Sequence, residues 1–114
     1  RRAGTLFLLD EENTMPWMIV SEESADGPRL RADSALMAAH WDYELSIKDR
    51  ILAAGSLRSD DGASKIGSLL IVKADTRAEA QAIIDADPAT QAGLRGRITL
   101  HRWNMAILDG VVHD

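Results

Sequence analysis

His40 is the side chain in this sequence best suited to acid–base chemistry. Imidazole titrates near neutral pH, and a carboxylate partner would fix its tautomer and stabilise its charged form. His40 shares one helical face with Leu36, Tyr43 and Ile47, because these residues are spaced by three or four positions. A histidine on such a face is either buried against one hydrogen-bond partner or opens into a pocket. The residues alone leave both interpretations open.

Asp87 is a carboxylate that could pair with His40. It stands before Pro88, at the end of a second predicted helix. If both helices lie on the same side of a sheet, the two side chains can meet. Aspartate before proline is also a common start of a turn, where the carboxylate caps nearby amides. Asp87 therefore has a structural interpretation beside the catalytic one.

Ser68 and the acidic residues near His40 suggest further chemistry, with less support. Ser68 follows Gly67 in a predicted strand, where its hydroxyl either points into a pocket that the glycine opens to a ligand or lies on a half-buried sheet face. A Ser-His-Asp triad has little support, because no nucleophile-elbow motif is present. His40, Asp42 and Glu44 alternate, which spreads them over different faces of a helix. We therefore expect no metal and no cofactor.

The elements that must position these residues follow the order strand, helix, strand, strand, helix, strand. The predicted strands cover residues 17–21, 51–57, 65–74 and 97–108, and the helices cover 33–50 and 76–86, with loop at 22–29 and a short strand or arm at 5–9. This order predicts an α+β, ferredoxin-like fold with two helices on one face of an antiparallel sheet. The strand at 66–72 looks buried on both faces, which requires cover for the second face. We therefore predict a homodimer.

Composition excludes several classes of protein. The chain has 114 residues, which suggests one domain, and its net charge of -5 comes without a basic cluster, so we expect no nucleic-acid partner. The longest apolar runs are far too short to cross a bilayer, so we expect no membrane partner. The absence of cysteine excludes thiolate chemistry and fits a reducing compartment. We predict a cytoplasmic protein that binds a small molecule.

An ordered set of short motifs resembles the YCII-related family. The set consists of Ala53-Ala-Gly-Ser-Leu, Asp60-Asp-Gly, Gly67-Ser-Leu-Leu-Ile-Val-Lys-Ala, Ala86-Asp-Pro and Ala92-Gly-Leu, with His40 on the first helix and Trp103 near the end of the last strand. The resemblance covers about residues 15–103. It divides the chain into an N-terminal extension at 1–14 and a ferredoxin-like domain at 15–114.

The resemblance implies a dimer of the dimeric α+β barrel type, with a site built around a histidine and an aspartate. The matching positions are His40 and Asp87, and Ser68 is the next residue that it places at the pocket. One branch of the family removes chloride from chlorinated hydroxyquinols. This chain departs from the family pattern at two places. Met37 stands in the stretch where arginines often precede the histidine, and Ala89 replaces an aromatic residue.

Two functions follow as hypotheses. The first is a small cofactor-free lyase, isomerase or hydrolase that acts on a small aromatic or hydroxylated substrate. In this hypothesis His40 and Asp87 are catalytic, and the expected substrate-binding residues are Ser68, Tyr43, Trp41 and Arg31. The second is a non-catalytic metabolite-binding or oligomerisation module. A solvent-reachable cavity that contains the paired His40 and Asp87 would favour the enzyme, and a sealed contact would favour the module.

Overall fold

The computed structural model describes residues 15–113, and the predicted extension at 1–14 with its short strand lies outside them. Four strands form one antiparallel sheet in the order β2-β3-β1-β4. Helices follow β1 and β3, so the predicted ferredoxin-like α+β fold is confirmed. The sheet strands are β1 (Trp17–Glu23), β2 (Ile51–Arg58), β3 (Lys65–Val72) and β4 (Arg95–Arg102), and the helices are α1 (Gly27–Arg31), α2 (Ser34–Ser46), α3 (Arg77–Asp85) and α4 (Pro88–Gln91).

Side-chain caps set the first residues of the two longer helices. The Asp33 carboxylate accepts a hydrogen bond from the Leu36 amide at 3.0 Å, which satisfies a free donor at the start of α2. The Thr76 hydroxyl accepts from the Glu79 amide at 3.2 Å, as its predicted capping box requires. Helix α2 ends at Ser46, earlier than predicted, and a 3-10 turn (Lys48–Arg50) leads into β2.

Two further predicted boundaries are wrong for local reasons, and one short helix was not predicted. The predicted loop at 22–29 contains the start of α1, where Pro28 occupies the first turn, a position that tolerates its missing N–H. Pro88 stops α3 as predicted, but it also opens the additional helix α4 in the same way. The last sheet strand ends at Arg102, and residues 107–112 form a separate hairpin of β5 (Ile107–Leu108) and β6 (Val111–Val112).

The two longer helices cover the sheet very differently. Ile83 and Ile84 of α3 pack in the hydrophobic core with Ile19, Val72 and Leu100 of the sheet. Helix α2 has no buried residue. The sheet beneath α3 is therefore filled by side chains, whereas the space between α2 and strands β2 and β3 stays open. This difference creates the cavity that holds the candidate site.

The second face of the sheet is apolar at its centre. Because side chains alternate along a strand, Met18 and Val20 of β1 point away from the helices, and so do Leu69 and Ile71 of β3. Ile71 is buried and the other three are half-buried. Ile66 is 52% exposed, so the predicted burial of β3 on both faces applies only to its later residues. None of the helices in residues 15–113 is long and apolar enough to cross a bilayer.

Candidate active site

A cavity of about 960 Å³ lies between α2 and strands β2 and β3. His40 and Trp41 line it from the helix, Ser68 and Leu70 from β3, and Arg95 from the first position of β4. Its volume lies at the upper end of the range of about 300–1,000 Å³ that is usual for small-molecule sites. The cavity is open to solvent and His40 lies on its wall.

His40 and Asp87 form a close hydrogen-bonded pair. The His40 Nδ1 atom lies 2.9 Å from Oδ1 and 2.8 Å from Oδ2 of Asp87. An ionised carboxylate can only accept, so Nδ1 donates and Nε2 is left as the acceptor nitrogen of the neutral ring. The Asp87 side chain is 3% exposed and that of His40 is 18% exposed. The pair thus joins a buried carboxylate to a ring that solvent or a ligand can reach.

Three different elements hold the Asp87 carboxylate in place. Its Oδ1 atom accepts from the Ala89 amide at 2.9 Å, which caps α4, and its Oδ2 atom accepts from Arg95 Nη2 at 2.8 Å. His40 of α2 is the third donor. The structural interpretation of Asp87 is therefore correct, and it coexists with the histidine contact that the catalytic interpretation requires.

The surroundings of Asp87 favour its ionised form. Burial raises the pKa of this carboxyl group, but the hydrogen bonds from His40, the Ala89 amide and Arg95 lower it, and the resulting pKa lies below its usual value. The carboxylate is therefore negatively charged at neutral pH, in the state that can stabilise an imidazolium.

This lowered pKa predicts a specific loss of stability in acid. Because the folded state binds the Asp87 proton less tightly than the unfolded state, folding is stabilised above the unfolded pKa of about 3.9, and this contribution is lost as the pH falls through the folded pKa. We expect the free energy of unfolding, measured in urea between pH 2 and 5, to fall less steeply with acid in Asp87→Asn than in the parent. Equal slopes in both proteins would contradict this expectation.

Arg95 is the important site residue that the sequence reasoning missed. Its side chain is 4% exposed, and besides Asp87 it contacts three hydroxyl groups. Nη1 donates to Ser21 at 2.9 Å and to Ser68 at 2.6 Å, and Nε donates to Thr90 at 2.8 Å. The sequence contained one signal for a buried polar contact here. Side chains alternate along β1, which places the polar Ser21 on the same face as the core residue Ile19.

Ser68 lines the cavity, but Gly67 has a different role from the one that the functional interpretation gave it. A side-chain carbon at Gly67 would clash with the backbone carbonyl oxygen of Ser21 on the neighbouring strand. Glycine is therefore required for the close packing of β1 against β3. This packing explains why a glycine precedes Ser68, and no bound ligand is needed to explain it.

The other predicted substrate-binding residues have different surroundings. Trp41 lines the cavity and is 58% exposed. Arg31 also lines it, but its guanidinium group is held by Glu23 through bonds of 3.1 and 2.7 Å. The Tyr43 hydroxyl donates to the Ile83 carbonyl at 2.6 Å, outside the cavity lining. Burial and the nearby Asp87 charge raise the pKa of Tyr43. This contact ties α2 to α3, so Tyr43 supports the position of His40.

The spacing argument about the acidic residues of α2 was wrong for Glu44. Glu44 lies one helical turn after His40, so the two share a face, and its Oε1 atom is 3.6 Å from Nε2 of His40. One possible ligand atom each from His40, Glu44 and Asp87 lies within 4.8 Å of the others. A cation there would have to displace the donors that Asp87 already binds and approach the charged Arg95 group. The donors already bound to Asp87 therefore disfavour a cation at these three atoms.

The fold and the site together define a ferredoxin-like domain with a paired histidine and aspartate at an open cavity. The chain belongs to the YCII-related domain family, whose model matches residues 15–104. Among solved structures, the chain is similar to 5-chloro-2-hydroxyhydroquinone dehydrochlorinase from Burkholderia phenoliruptrix in complex with 2,5-dihydroxybenzoquinone. The two are 28% identical with a TM-score of 0.68, over 78% of this chain and 93% of that one. No match was found among curated proteins.

Proposed function

We propose that this protein is a small cofactor-free enzyme that uses His40 and Asp87 as an acid–base pair. The observation that carries the proposal is the 2.8 Å contact between Nδ1 of His40 and the buried Asp87, with the His40 ring at the wall of an open cavity. A sealed contact would have favoured a non-catalytic binding or oligomerisation module. The functional unit that we propose is residues 15–114, with 1–14 as an extension.

The pair performs proton transfer in this proposal. Nε2 of His40 accepts a proton from a substrate hydroxyl group, and the ionised Asp87 stabilises the imidazolium that forms. Glu44 lies beside the same nitrogen, with its Oε1 atom 3.6 Å from Nε2. The imidazolium then returns the proton to the product or to solvent. Such acid–base assistance contributes about 10²- to 10⁴-fold in rate.

A small hydroxylated ring is the substrate class that fits the site best. The similar solved enzyme is named for a chlorinated hydroxyhydroquinone and holds a dihydroxybenzoquinone. In this chain the cavity offers Trp41 for contact with a ring face, the apolar side chains of Leu45 and Leu70, and the polar Ser68. Loss of hydrogen chloride from such a ring is therefore the reaction to test first. The ring carbon that carries chlorine gains a proton, the C–Cl bond breaks with its electron pair on chloride, and two hydroxyl groups lose their protons as the hydroxyquinone forms.

The test is chloride release from 5-chloro-2-hydroxyhydroquinone by the purified protein. We expect release that is proportional to protein concentration and saturates with substrate. Binding of the compound is measured by calorimetry under nitrogen. If the compound binds but no chloride is released, this result would contradict the enzyme and favour a metabolite-binding module.

We also propose that the protein acts as a homodimer that covers the second face of its sheet. Met18, Val20, Leu69 and Ile71 form the apolar centre of that face. Analytical ultracentrifugation at micromolar concentration should give twice the chain mass of 12.5 kDa, and Val20→Asp should shift the protein toward monomer because a charge there would be buried. Trp41→Ser, which changes an exposed residue on the opposite side, is the matched control. A parent protein that sediments as a monomer would contradict the dimer.

A further inference from the structure

Arg95 joins the catalytic pair to a pair of serine hydroxyl groups beneath the cavity. Its Nη2 atom donates to Asp87, and its Nη1 atom donates to both Ser21 and Ser68. The two serine oxygens lie 2.7 Å apart, within hydrogen-bond distance of each other. One nearly buried cation therefore holds the carboxylate that binds His40 and also fixes two hydroxyl groups on neighbouring strands.

The direction of the bond between the two serines follows from donor accounting. Each serine oxygen already accepts from Arg95, and each hydroxyl has one hydrogen to donate. If Ser68 donated to Ser21, the Ser21 hydrogen would need another acceptor, but Ser21 is 2% exposed and has no further partner among residues 15–113. A buried donor without a partner costs about 1–3 kcal/mol. If Ser21 donates to Ser68, the remaining hydrogen belongs to Ser68, which lines the cavity.

We propose that Arg95 is a positioning residue that makes Ser68 a hydrogen-bond donor to a ligand oxygen in the cavity. Arg95 cannot accept a hydrogen bond, so its two bonds from Nη1 make both serine oxygens acceptors and leave only one arrangement in which Ser21 is satisfied. Ser68 then points its hydrogen toward the cavity that His40 also lines.

This direction of the hydrogen bonds sets the ligand specificity of the site. The inference about specificity rests on the function proposed above. His40 in its neutral form offers an acceptor, and Ser68 offers a donor. The complementary ligand carries a hydroxyl group that can donate to Nε2 at one position and an oxygen that can accept from Ser68 at another. A chlorinated hydroxyhydroquinone meets both requirements, and a carbonyl or anionic oxygen is the best acceptor for Ser68 because it has no hydrogen of its own to direct elsewhere. Ser68 is thus a specificity-determining residue in this account, with no nucleophilic role.

Neutron diffraction from a deuterium-exchanged crystal of the unliganded protein tests the hydrogen-bond direction without any ligand or activity. We expect the Ser21 deuterium on the line to the Ser68 oxygen, and the Ser68 deuterium directed into the cavity. A Ser68 deuterium on the line to Ser21 would overturn the proposal, whatever the protein catalyses.

Ligand binding tests the consequence with 2,5-dihydroxybenzoquinone as the probe, titrated by calorimetry, because its carbonyl oxygens are acceptors only. We expect Ser68→Ala to bind the quinone about tenfold more weakly than the parent. Arg95→Lys should also weaken binding, because an ammonium group cannot reproduce the planar fork that reaches Asp87 and both serines.

Thr99→Val is the matched control, since it removes a hydroxyl group from the opposite face of the sheet and should keep the parent affinity. A parent that fails to bind the quinone, or a Ser68→Ala protein that keeps the full affinity, would overturn the ligand assignment. The chloride-release assay separates this failure from a failure of the proposed function. Chloride release that persists in Ser68→Ala with an unchanged affinity for the quinone would reject the role of Ser68 while leaving the acid–base pair intact.

Discussion

Replacing His40 with alanine should lower turnover in the chloride-release assay by about 10²- to 10⁴-fold, with a much smaller effect on substrate binding. The reason is that two of the described side chains that line the cavity contact Asp87, His40 and Arg95, and of these only His40 has a nitrogen that can accept a proton. The substitution removes the proton acceptor, whereas the ring-binding surface stays. The measurement is kcat and KM under nitrogen, with circular dichroism to show that the fold persists.

The fold of His40→Ala should persist because Asp87 keeps its bonds to the Ala89 amide and Arg95. His101→Ala is the matched control. His101 is exposed on β4, on the opposite face of the sheet, and its loss should leave kcat unchanged. Unchanged turnover in His40→Ala would remove the acid–base role altogether, and a change confined to KM would make His40 a binding residue only.

Replacing Arg95 with methionine should produce the largest loss of stability of any substitution at this site. Arg95 and Asp87 are both almost fully buried and lie 2.8 Å apart, so removing the cation leaves a buried carboxylate with one charged partner fewer. Breaking a buried pair in this way costs about 3–5 kcal/mol. Ser21, Ser68 and Thr90 also lose a donor. The measurement is the free energy of unfolding in urea at pH 7.

Arg97→Met provides the comparison on the same strand. Arg97 is exposed, two residues further along β4, so its replacement should change the free energy of unfolding by less than about 0.5 kcal/mol. If Arg95→Met lost no more stability than Arg97→Met, the buried network would not hold the site together as we describe.

Local sequence signals predicted the elements that carry the site. The spacing around His40 predicted α2, the Asp33 and Thr76 caps marked the starts of two helices, and the apolar run after Gly67 predicted β3. Each of these signals depends on residues within a few positions of one another. Short-range sequence patterns were therefore sufficient to predict the order of the strands and helices.

The network beneath the site could not be predicted in the same way. Ser21 and Ser68 are 47 positions apart, and Ser21 and Arg95 are 74 positions apart, so only the pairing of β1 with both β3 and β4 brings them together. His40 and Asp87 are also separated by 47 positions; the predicted fold allowed them to meet, but only the family resemblance favoured their pairing. The boundary errors have a different cause, because Pro28 and Pro88 can each either end one element or begin another.

The most direct test of the central claim is the tautomer of His40, read from the ¹⁵N chemical shifts of its imidazole at about pH 8.5, where free imidazole is neutral. The account predicts a proton on Nδ1, bonded to Asp87, and a bare Nε2 facing the cavity. It also predicts that Asp87→Asn weakens this preference, because an amide is a poorer acceptor than a carboxylate. A His40 ring that carries its proton on Nε2 in the parent protein would contradict the acid–base pair.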